Sequence, residues 1–344
     1  MPISYSRRSL LAAAASLSFL AAIGAPARAA EPVVARVGYI PIIGAAPVFV
    51  ADREGRLAAK GVKLAYTTFE SGPHAIQALA SGTIDVYVAG VAPLAVARSK
   101  GIDIRVVAAT AVAENVFVAG PKLAAEFKPG VSPAEAFAAF AKATGKPARL
   151  ATQPAGSVPN TTLQHWLWKV AKAARTDVEV VPLGIDATQQ AILAGAVDGA
   201  IVREPALTIV RERNPAIKLV ADGDTLFPGQ PGTVVAVTGA FADKNPEAVQ
   251  AIVDGLVEAA ALLTQTPEKA VPFVGAALGK GLVEPALITQ ALKSPATRFQ
   301  IDPRVIVEPT RAMQTEQVSL GSLDKELPLD GLFEPKFYLA ATKK

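Results

Sequence analysis

Between residues 69 and 93, the pattern of apolar and polar positions predicts a helix, a tight turn and a strand. Ser71-Gly72-Pro73 suits a helix start, because serine caps the first turn and proline fits within it. Apolar positions within 76–80 follow helical spacing, and Gly82 lies where a left-handed residue would end the helix. The run Ile84–Val88 then predicts a short strand.

The same pattern recurs 113 residues further along the chain. Residues 191–198 (AILAGAVD) echo residues 78–85 (ALASGTID), and the second copy ends at Arg203-Glu204-Pro205. Two copies of one α/β unit predict two similar lobes, with strand ends that face each other across a cleft.

Strands and helices alternate through the first part of the chain. Strands are predicted at 33–40, 62–69 and 104–109, with helices at 45–59 and 93–99 between them. This alternation is typical of a mostly parallel sheet with helices on its faces.

The chain is predicted to cross between the lobes twice, near residues 110–119 and 229–238. We therefore expect residues 30–112 and 230–344 to form one discontinuous lobe, and residues 113–229 to form the other. Within the second lobe, a polar loop at 153–162 is expected to lead into a helix at 163–174.

Residues 1–29 are expected to be an export signal. They contain a twin-arginine pattern around Arg7-Arg8, an alanine- and leucine-rich run to Ile23, and small residues for cleavage at Ala27-Arg28-Ala29. An ordinary Sec signal with two arginines is the alternative. Either route takes the protein out of the cytoplasm, so the expected location is the periplasm.

Composition excludes several classes of chemistry. The 344 residues exceed what one core usually holds, and 51% of them are apolar. The absence of cysteine excludes disulfides and thiolate chemistry, and two histidines leave few candidates for a metal site or a triad. The formal net charge is +4, and removal of Arg7, Arg8 and Arg28 with the signal leaves +1, which does not indicate nucleic-acid binding.

The loops that follow the predicted strands indicate an anion site. Ligands bind at the carboxyl ends of strands in open α/β sheets, and several of these loops begin helices, whose free N–H groups favour an anion. The repeat places Arg203 at a strand end, where a guanidinium can bind an anion in bidentate fashion. The alternative is that Arg203 pairs with Glu204 or lies at the surface. The predicted ligand is a small carboxylate, sulfonate, nitrate or phosphate.

No catalytic constellation stands out. Asp85 and Asp198 occupy matching positions of the repeat, but each begins a strand on the side away from the cleft, so turn hydrogen bonding is predicted for both. His165 lies beside two tryptophans, where packing is expected. Trp166 and Trp168 cannot face the same way on a helix, so one of them is predicted to be core. No phosphate-binding loop, dinucleotide fingerprint or metal-spaced cluster appears.

Several stretches occur in an order that carries a resemblance. These are VGYIPIIGAAPVFVADREG, ESGPHAIQALASGTIDVYVAG, a Gly-Ser loop before a helix, and DGAIVREP. The chain resembles the periplasmic substrate-binding proteins of ABC importers for nitrate, sulfonates and taurine, a group that also includes carriers of pyrimidines. The resemblance implies a type II periplasmic binding protein fold, in which two α/β lobes close on a ligand. It also implies a monomer that is not an enzyme, has no cofactor, and delivers its ligand to an ABC permease.

By the same resemblance, ligand contacts come from strand-end loops of both lobes. The residues implied are Tyr39, Pro41, Ile42, Ser71, Gly72, Gly90, Val91 and Ala92 in the first lobe, and Gly156, Ser157, Val158, Asn160, Arg203 and Glu204 in the second. Val202-Arg203 stands where family members often carry an aromatic residue before a Glu/Asp-Pro pair. The arginine favours a more acidic ligand.

Two other functions stay open at this point. One is an exported lyase or hydrolase on the same scaffold that uses Glu204 and His74. The other is a receptor that presents its ligand to a sensor. The missing catalytic constellation, together with the export signal, favours an importer's binding protein for a small anionic solute.

Overall fold

The strands in the described part of the chain form two five-stranded sheets and one two-stranded ribbon. The computed structural model describes Met1, residues 31–278 and residues 283–343, so the expected export signal lies outside the described residues except for Met1. Val33–Lys344 is one compact unit. The strands are β1 Val33–Tyr39, β2 Val62–Thr68, β3 Val86–Gly90, β4 Ile104–Ala109, β5 Ala111–Val112, β6 Val116–Ala119, β7 Ala148–Thr152, β8 Val178–Pro182, β9 Gly199–Val202, β10 Lys218–Ala221, β11 Thr233–Thr238 and β12 Arg298–Phe299.

Each large sheet contains one antiparallel strand. The first sheet has the order β2-β1-β3-β11-β4, and β11 runs against both of its neighbours. The second has the order β10-β6-β9-β7-β8, and β6 runs against both of its neighbours. In each sheet the reversed strand is the first one formed after the chain arrives from the other sheet. The predicted mostly parallel sheets are therefore confirmed, with one reversed strand at each crossing.

Helices cover the faces of both sheets. The α-helices are α1 Ala46–Ala51, α2 Arg56–Ala59, α3 Gly72–Ala80, α4 Ala92–Ser99, α5 Pro121–Ala124, α6 Pro133–Thr144, α7 Val158–His165, α8 Ile185–Ala194, α9 Ala206–Arg213, α10 Gly223–Leu226, α11 Gly239–Lys244, α12 Pro246–Gln265, α13 Val271–Leu278, α14 Pro285–Leu292, α15 Val307–Ser319 and α16 Lys336–Thr342. Single 3₁₀ turns lie at Ile43–Ala45, Arg53–Gly55, Pro267–Ala270 and Pro303–Ile306, and a π-helical turn lies at Trp166–Val170. In the part of the chain that the structure describes, no helix is long and apolar enough to cross a membrane.

Two predicted helices differ from the observed ones. The predicted helix at 45–59 is broken, because Glu54 (φ 55°) and Gly55 (φ 70°) adopt left-handed backbone angles that a right-handed helix cannot continue. The predicted helix at 163–174 begins five residues earlier, at Val158, since the Ser157 side chain accepts a hydrogen bond from the Asn160 backbone N–H at 3.3 Å.

The repeat extends to the hydrogen bonds at the base of each sheet. The Asp85 carboxylate accepts hydrogen bonds from the backbone N–H of Arg36 at 3.1 Å and from its Nε at 2.8 Å. Asp198 Oδ2 accepts one from the backbone N–H of Arg149 at 2.9 Å. Each aspartate lies 49 residues after its arginine. Both aspartates have a structural role, as predicted, but the predicted turn hydrogen bonding is wrong, because each carboxylate bonds an arginine of the neighbouring strand.

Aromatic side chains fill one face of the second sheet. Trp166 is 1% exposed, and its ring lies 5.0 Å from that of Phe117 and 5.9 Å from that of Phe137. Trp168 is only partly buried, and the guanidinium of Arg175 lies 4.4 Å from its ring. The prediction that one of the two tryptophans is core is confirmed, and the core residue is Trp166.

Replacing Trp166 should therefore destabilise the fold far more than replacing Trp168. We expect Trp166→Ala to lower the free energy of unfolding by about 3–5 kcal/mol, because it removes a large buried ring and leaves a cavity. Trp168→Ala is the matched control and should cost about 1 kcal/mol or less. Urea unfolding followed by circular dichroism measures both, and equal losses would contradict this account of the core.

Candidate functional site

The ends of strands in the first sheet contact the second sheet directly. The backbone N–H of Ile43, after β1, donates to the carbonyl of Glu204, after β9, at 2.8 Å. The backbone N–H of Ile185, at the start of α8, donates to the carbonyl of Glu70, after β2, at 3.1 Å. The Glu70 carboxylate also accepts from the N–H of Asp186 at 3.4 Å, so it caps a helix that belongs to the opposite sheet.

Beside these contacts lies a cleft with a volume of about 430 Å³. Of the residues predicted to contact a ligand, Pro41 and Ile42 line it from the first sheet, and Arg203 and Glu204 line it from the second. The remaining lining residues are Thr68, Ile185, Asp186, Gln189, Gln190, Pro205, Ala206, Ile209, Arg213, Ala277, Leu278 and Val283.

A second group of predicted residues meets deeper in the molecule. A Cβ built on Gly90 would lie 2.7 Å from Val158 Cγ2, so only glycine permits this approach between the end of β3 and α7. The buried side-chain amide of Gln317 donates to the carbonyl of Ala92 at 3.2 Å and to that of Gly156 at 3.4 Å. These residues join the two halves of the molecule, and they do not line the cleft.

Predicted residues at the helix starts serve mainly as caps. The Ser71 hydroxyl is fully buried and accepts from the N–H of His74 at 3.4 Å. Gly72 makes room for a phenol, since a Cβ there would lie 2.7 Å from Tyr87 Oη. That phenol donates to the carbonyl of Gly90 at 2.8 Å.

Tyr39, Val91 and Asn160 also have structural partners. Tyr39 Oη donates to the carbonyl of Ala277 at 2.9 Å, which ties the end of β1 to a wall of the cleft. The N–H of Val91 donates to the carbonyl of Gly232 at 3.1 Å. Asn160 Oδ1 accepts from Gln164 Nε2 at 2.9 Å. Of these three bonds, the one from Tyr39 reaches a residue that lines the cleft, and those of Val91 and Asn160 lie outside the lining.

Arg203 differs from the other predicted residues, because it is a buried charge with free donors. Its side chain is 3% exposed, and Nη1 lies 3.6 Å from Glu114 Oε1, beyond hydrogen-bond distance. Nη1 and Nη2 have no hydrogen-bond partner in the structure. The expected alternatives for Arg203, a pair with Glu204 or a place at the surface, are both wrong.

Glu114 is the counter-charge of Arg203. It lies between β5 and β6, is 1% exposed, and accepts a hydrogen bond on Oε1 from the Thr233 hydroxyl at 2.5 Å. Its Oε2 has no hydrogen-bond partner. Burial raises the pKa of Glu114, while the charge of Arg203 and the Thr233 hydroxyl act against that rise. Burial also lowers the pKa of Arg203, and Glu114 opposes that change.

The carboxylate of Glu204 points away from Arg203. Glu204 Oε2 accepts from the N–H of Thr208 at 3.1 Å, and Oε1 has no hydrogen-bond partner. Burial raises the pKa of Glu204, and the polar groups of Ser294 and Thr208 beside the carboxylate act against the rise. Across residues 31–278 and 283–343, no group of three or more histidines and carboxylates lies together as a metal site would require.

The sequence analysis missed Glu114, Tyr87, Glu70 and Gln317 as parts of this region. One signal pointed to the first of them. Glu114-Asn115 is a polar pair between the apolar stretches 104–112 and 116–119, within the segment predicted to cross between the lobes. A carboxylate between two buried strands requires a buried partner. Glu70 and Gln317 carry no such signal, because their contacts come from distant parts of the chain.

Comparison with known proteins places the chain in a family. The profile of the NMT1-like family matches residues 28–273. The chain belongs to the NMT1-like family. A relative in sequence is the taurine-binding periplasmic protein of Escherichia coli (strain K12), which is 30% identical over 74% of this chain and 71% of that protein. The NMT1-like chain is thus a substrate-binding protein and not an enzyme.

Solved structures show the same fold. The periplasmic nitrate-binding protein NrtA from Synechocystis PCC 6803 matches with a TM-score of 0.74 and 18% identity, over 91% of this chain and 89% of that one. The alkanesulfonate-binding protein SsuA from Xanthomonas axonopodis pv. citri, bound to MOPS, matches with a TM-score of 0.68 and 21% identity, over 89% and 100%. The predicted periplasmic binding protein fold is confirmed.

The burial of Glu204 predicts a pH-dependent stability. Because its pKa is raised above the ordinary 4.5, the native state binds more protons than the unfolded state. The protonated carboxyl of Glu204 stabilises the native state relative to the ionised one. This stabilisation is complete below the pKa of Glu204 in the unfolded state and is lost as the pH rises through its pKa in the native state. The free energy of unfolding of Glu204→Gln should equal that of the unliganded wild type at about pH 4. At about pH 8 it should exceed the wild-type value by about 1 kcal/mol.

Thermal and urea unfolding across this pH range measure the difference. Glu212→Gln, on the exposed surface of the following helix α9, removes an equal charge and reports the effect of net charge alone. A gap between Glu204→Gln and wild type that stays constant with pH would contradict the assignment.

Proposed function

We propose that this protein captures a small anion in the cleft and delivers it to the membrane permease of an ABC importer. The observation that carries the proposal is the buried guanidinium of Arg203, whose two terminal nitrogens lack hydrogen-bond partners at the wall of the cleft. A planar fork of this kind matches the paired oxygens of a carboxylate, sulfonate or nitrate. The relatives named for taurine, nitrate and alkanesulfonate support this ligand class.

Among the predicted contacts, we propose that Arg203 binds the anion and that Pro41, Ile42 and Glu204 surround it. All four line the cleft. We propose that the other predicted residues support the site from outside the cleft lining, because their polar groups are already engaged in caps or backbone bonds. These are Tyr39, Ser71, Gly72, Gly90, Val91, Ala92, Gly156, Ser157, Val158 and Asn160.

We propose the lobe boundaries predicted above, with residues 30–112 and 230–344 in one lobe and residues 113–229 in the other. The strand orders of the two large sheets support this division. The end of the chain supports it too, because the N–H of Glu334 donates to the carbonyl of Val106 in β4 at 2.9 Å. The two crossings would then act as a hinge on which the lobes close over the ligand.

A screen of anions against Arg203 variants tests the function. Thermal unfolding with nitrate, bicarbonate, alkanesulfonates, taurine, aromatic acids and pyrimidines should single out an anion that stabilises the protein, as mass action requires. Arg203→Gln should weaken the binding of that anion about 100-fold or more, because two charge-assisted hydrogen bonds are lost. Titration calorimetry measures the change.

Loss of folding must be separated from loss of binding. Arg203→Gln alone leaves the Glu114 charge buried without a partner, so the variant that also carries Glu114→Gln keeps the region neutral. Arg213→Gln, on the rim of the same cleft, is the matched control and should bind nearly as wild type does. Tight anion binding by the folded double variant would overturn the role of Arg203, and a screen without any stabilising anion would overturn the function.

We also propose that the protein works as a monomer in the periplasm after removal of residues 1–29. The exported protein should begin at Ala30, which N-terminal sequencing of the periplasmic fraction determines. Replacing Arg7 and Arg8 by lysine keeps the charge and should block export by the twin-arginine route. Unchanged export of that variant would assign the signal to the Sec route instead.

A further inference from the structure

Glu114 is enclosed by elements from both sheets. A Cβ built on Gly44 would lie 2.0 Å from its Oε2, and one built on Gly232 would lie 3.1 Å from its Oε1. Thr233 donates to it from β11, and Arg203 faces it from the end of β9. Among the described residues, Arg203 is the charged group that affects the pKa of Glu114. The neutral phenol of Tyr87 lies near Arg203.

The two buried charges cancel each other in the unliganded protein. An anion that binds the free nitrogens of Arg203 adds a second negative charge to a region that holds only one positive charge. A net buried charge is costly, because the surrounding groups replace hydration poorly. A proton on Glu114 restores neutrality. Its Oε2 has no hydrogen-bond partner, so it can accept that proton without breaking a hydrogen bond.

We propose that Glu114 makes anion capture at Arg203 proton-linked, so that one proton enters from solvent onto Glu114 Oε2 for each monovalent anion bound. This inference rests on the proposed function. It makes Glu114 a residue that determines specificity. A monovalent anion is neutralised by the single proton that Glu114 can take, whereas a divalent anion leaves the site charged.

The electrostatics of Glu114 agree with this geometry. Burial already raises its pKa, and the charge of Arg203 is the leading influence that lowers it. A bound anion offsets the charge of Arg203, so the pKa of Glu114 rises further in the complex. Between the two pKa values of the free and the bound protein, binding takes up a proton, and affinity falls as the pH rises.

Ethanesulfonate and nitrate are suitable probes, since neither anion titrates in the range used and any proton exchanged belongs to the protein. Titration calorimetry from about pH 5 to about pH 9, in buffers without sulfonates, should show affinity falling about tenfold per pH unit within the window. A pH-indicator dye in weakly buffered solution should record an uptake that approaches about one proton per anion.

Glu114→Gln should abolish the proton uptake and make the affinity independent of pH, close to that of the wild type at the acidic limit. The amide oxygen can still accept the hydrogen bond from Thr233. Glu212→Gln, which removes an exposed carboxylate outside the cleft lining, should keep the wild-type uptake.

The outcomes separate this inference from the function on which it rests. If neither probe nor any other anion of the screen binds, the proposed function falls and the inference falls with it. If a probe binds to the wild type without proton uptake, only the inference is overturned. Uptake that persists in Glu114→Gln also overturns it. Should that variant fail to fold, the proton uptake of the wild type and the pH dependence of its affinity still decide whether anion binding is proton-linked.

Discussion

The buried charges of Arg203 and Glu114 constrain the centre of the molecule. Arg203 ends the last strand of the repeated unit in the second sheet, and Glu114 lies where the chain crosses between sheets. Thr233, at the start of the returning strand, bonds the same carboxylate. Three segments that are distant in sequence are therefore held by one ion pair, and the loss of either partner would leave the other charge buried and uncompensated.

This pair also distinguishes the two copies of the repeat. Position 90 in the first copy corresponds to position 203 in the second, at the repeat's offset of 113 residues. Gly90 is bare backbone that allows Val158 to approach, whereas Arg203 carries a charge that the fold must neutralise. The two copies of the repeat therefore have different roles. The first packs closely against its neighbour at Gly90, and the second places the buried charge of Arg203 at the wall of the cleft.

Much of the fold could be predicted from the sequence, because strand and helix periods and the repeat are local signals. The matching positions of Asp85 and Asp198 followed from the repeat, but their bonds to arginines 49 residues earlier did not. The contacts of the cleft were harder to predict. A residue at the end of a strand, such as Gly90, can face a ligand or pack against the other sheet, and spacing does not distinguish the two. Glu114 was missed because its partner, Arg203, is close only in the folded chain.

The helix starts explain why the proposed recognition of an anion would depend on a side chain. The sequence suggested that free N–H groups at these starts would bind the ligand. The protein uses its own oxygens there instead: Ser71 caps α3, Ser157 caps α7 and the Glu70 carboxylate caps α8. With these donors occupied, the buried side-chain donors at the wall of the cleft that lack a hydrogen-bond partner are, among the described residues, those of Arg203. Under the proposed function, affinity would depend on a guanidinium that has a carboxylate beside it, and the choice of ligand would then be linked to the balance of charge at this site.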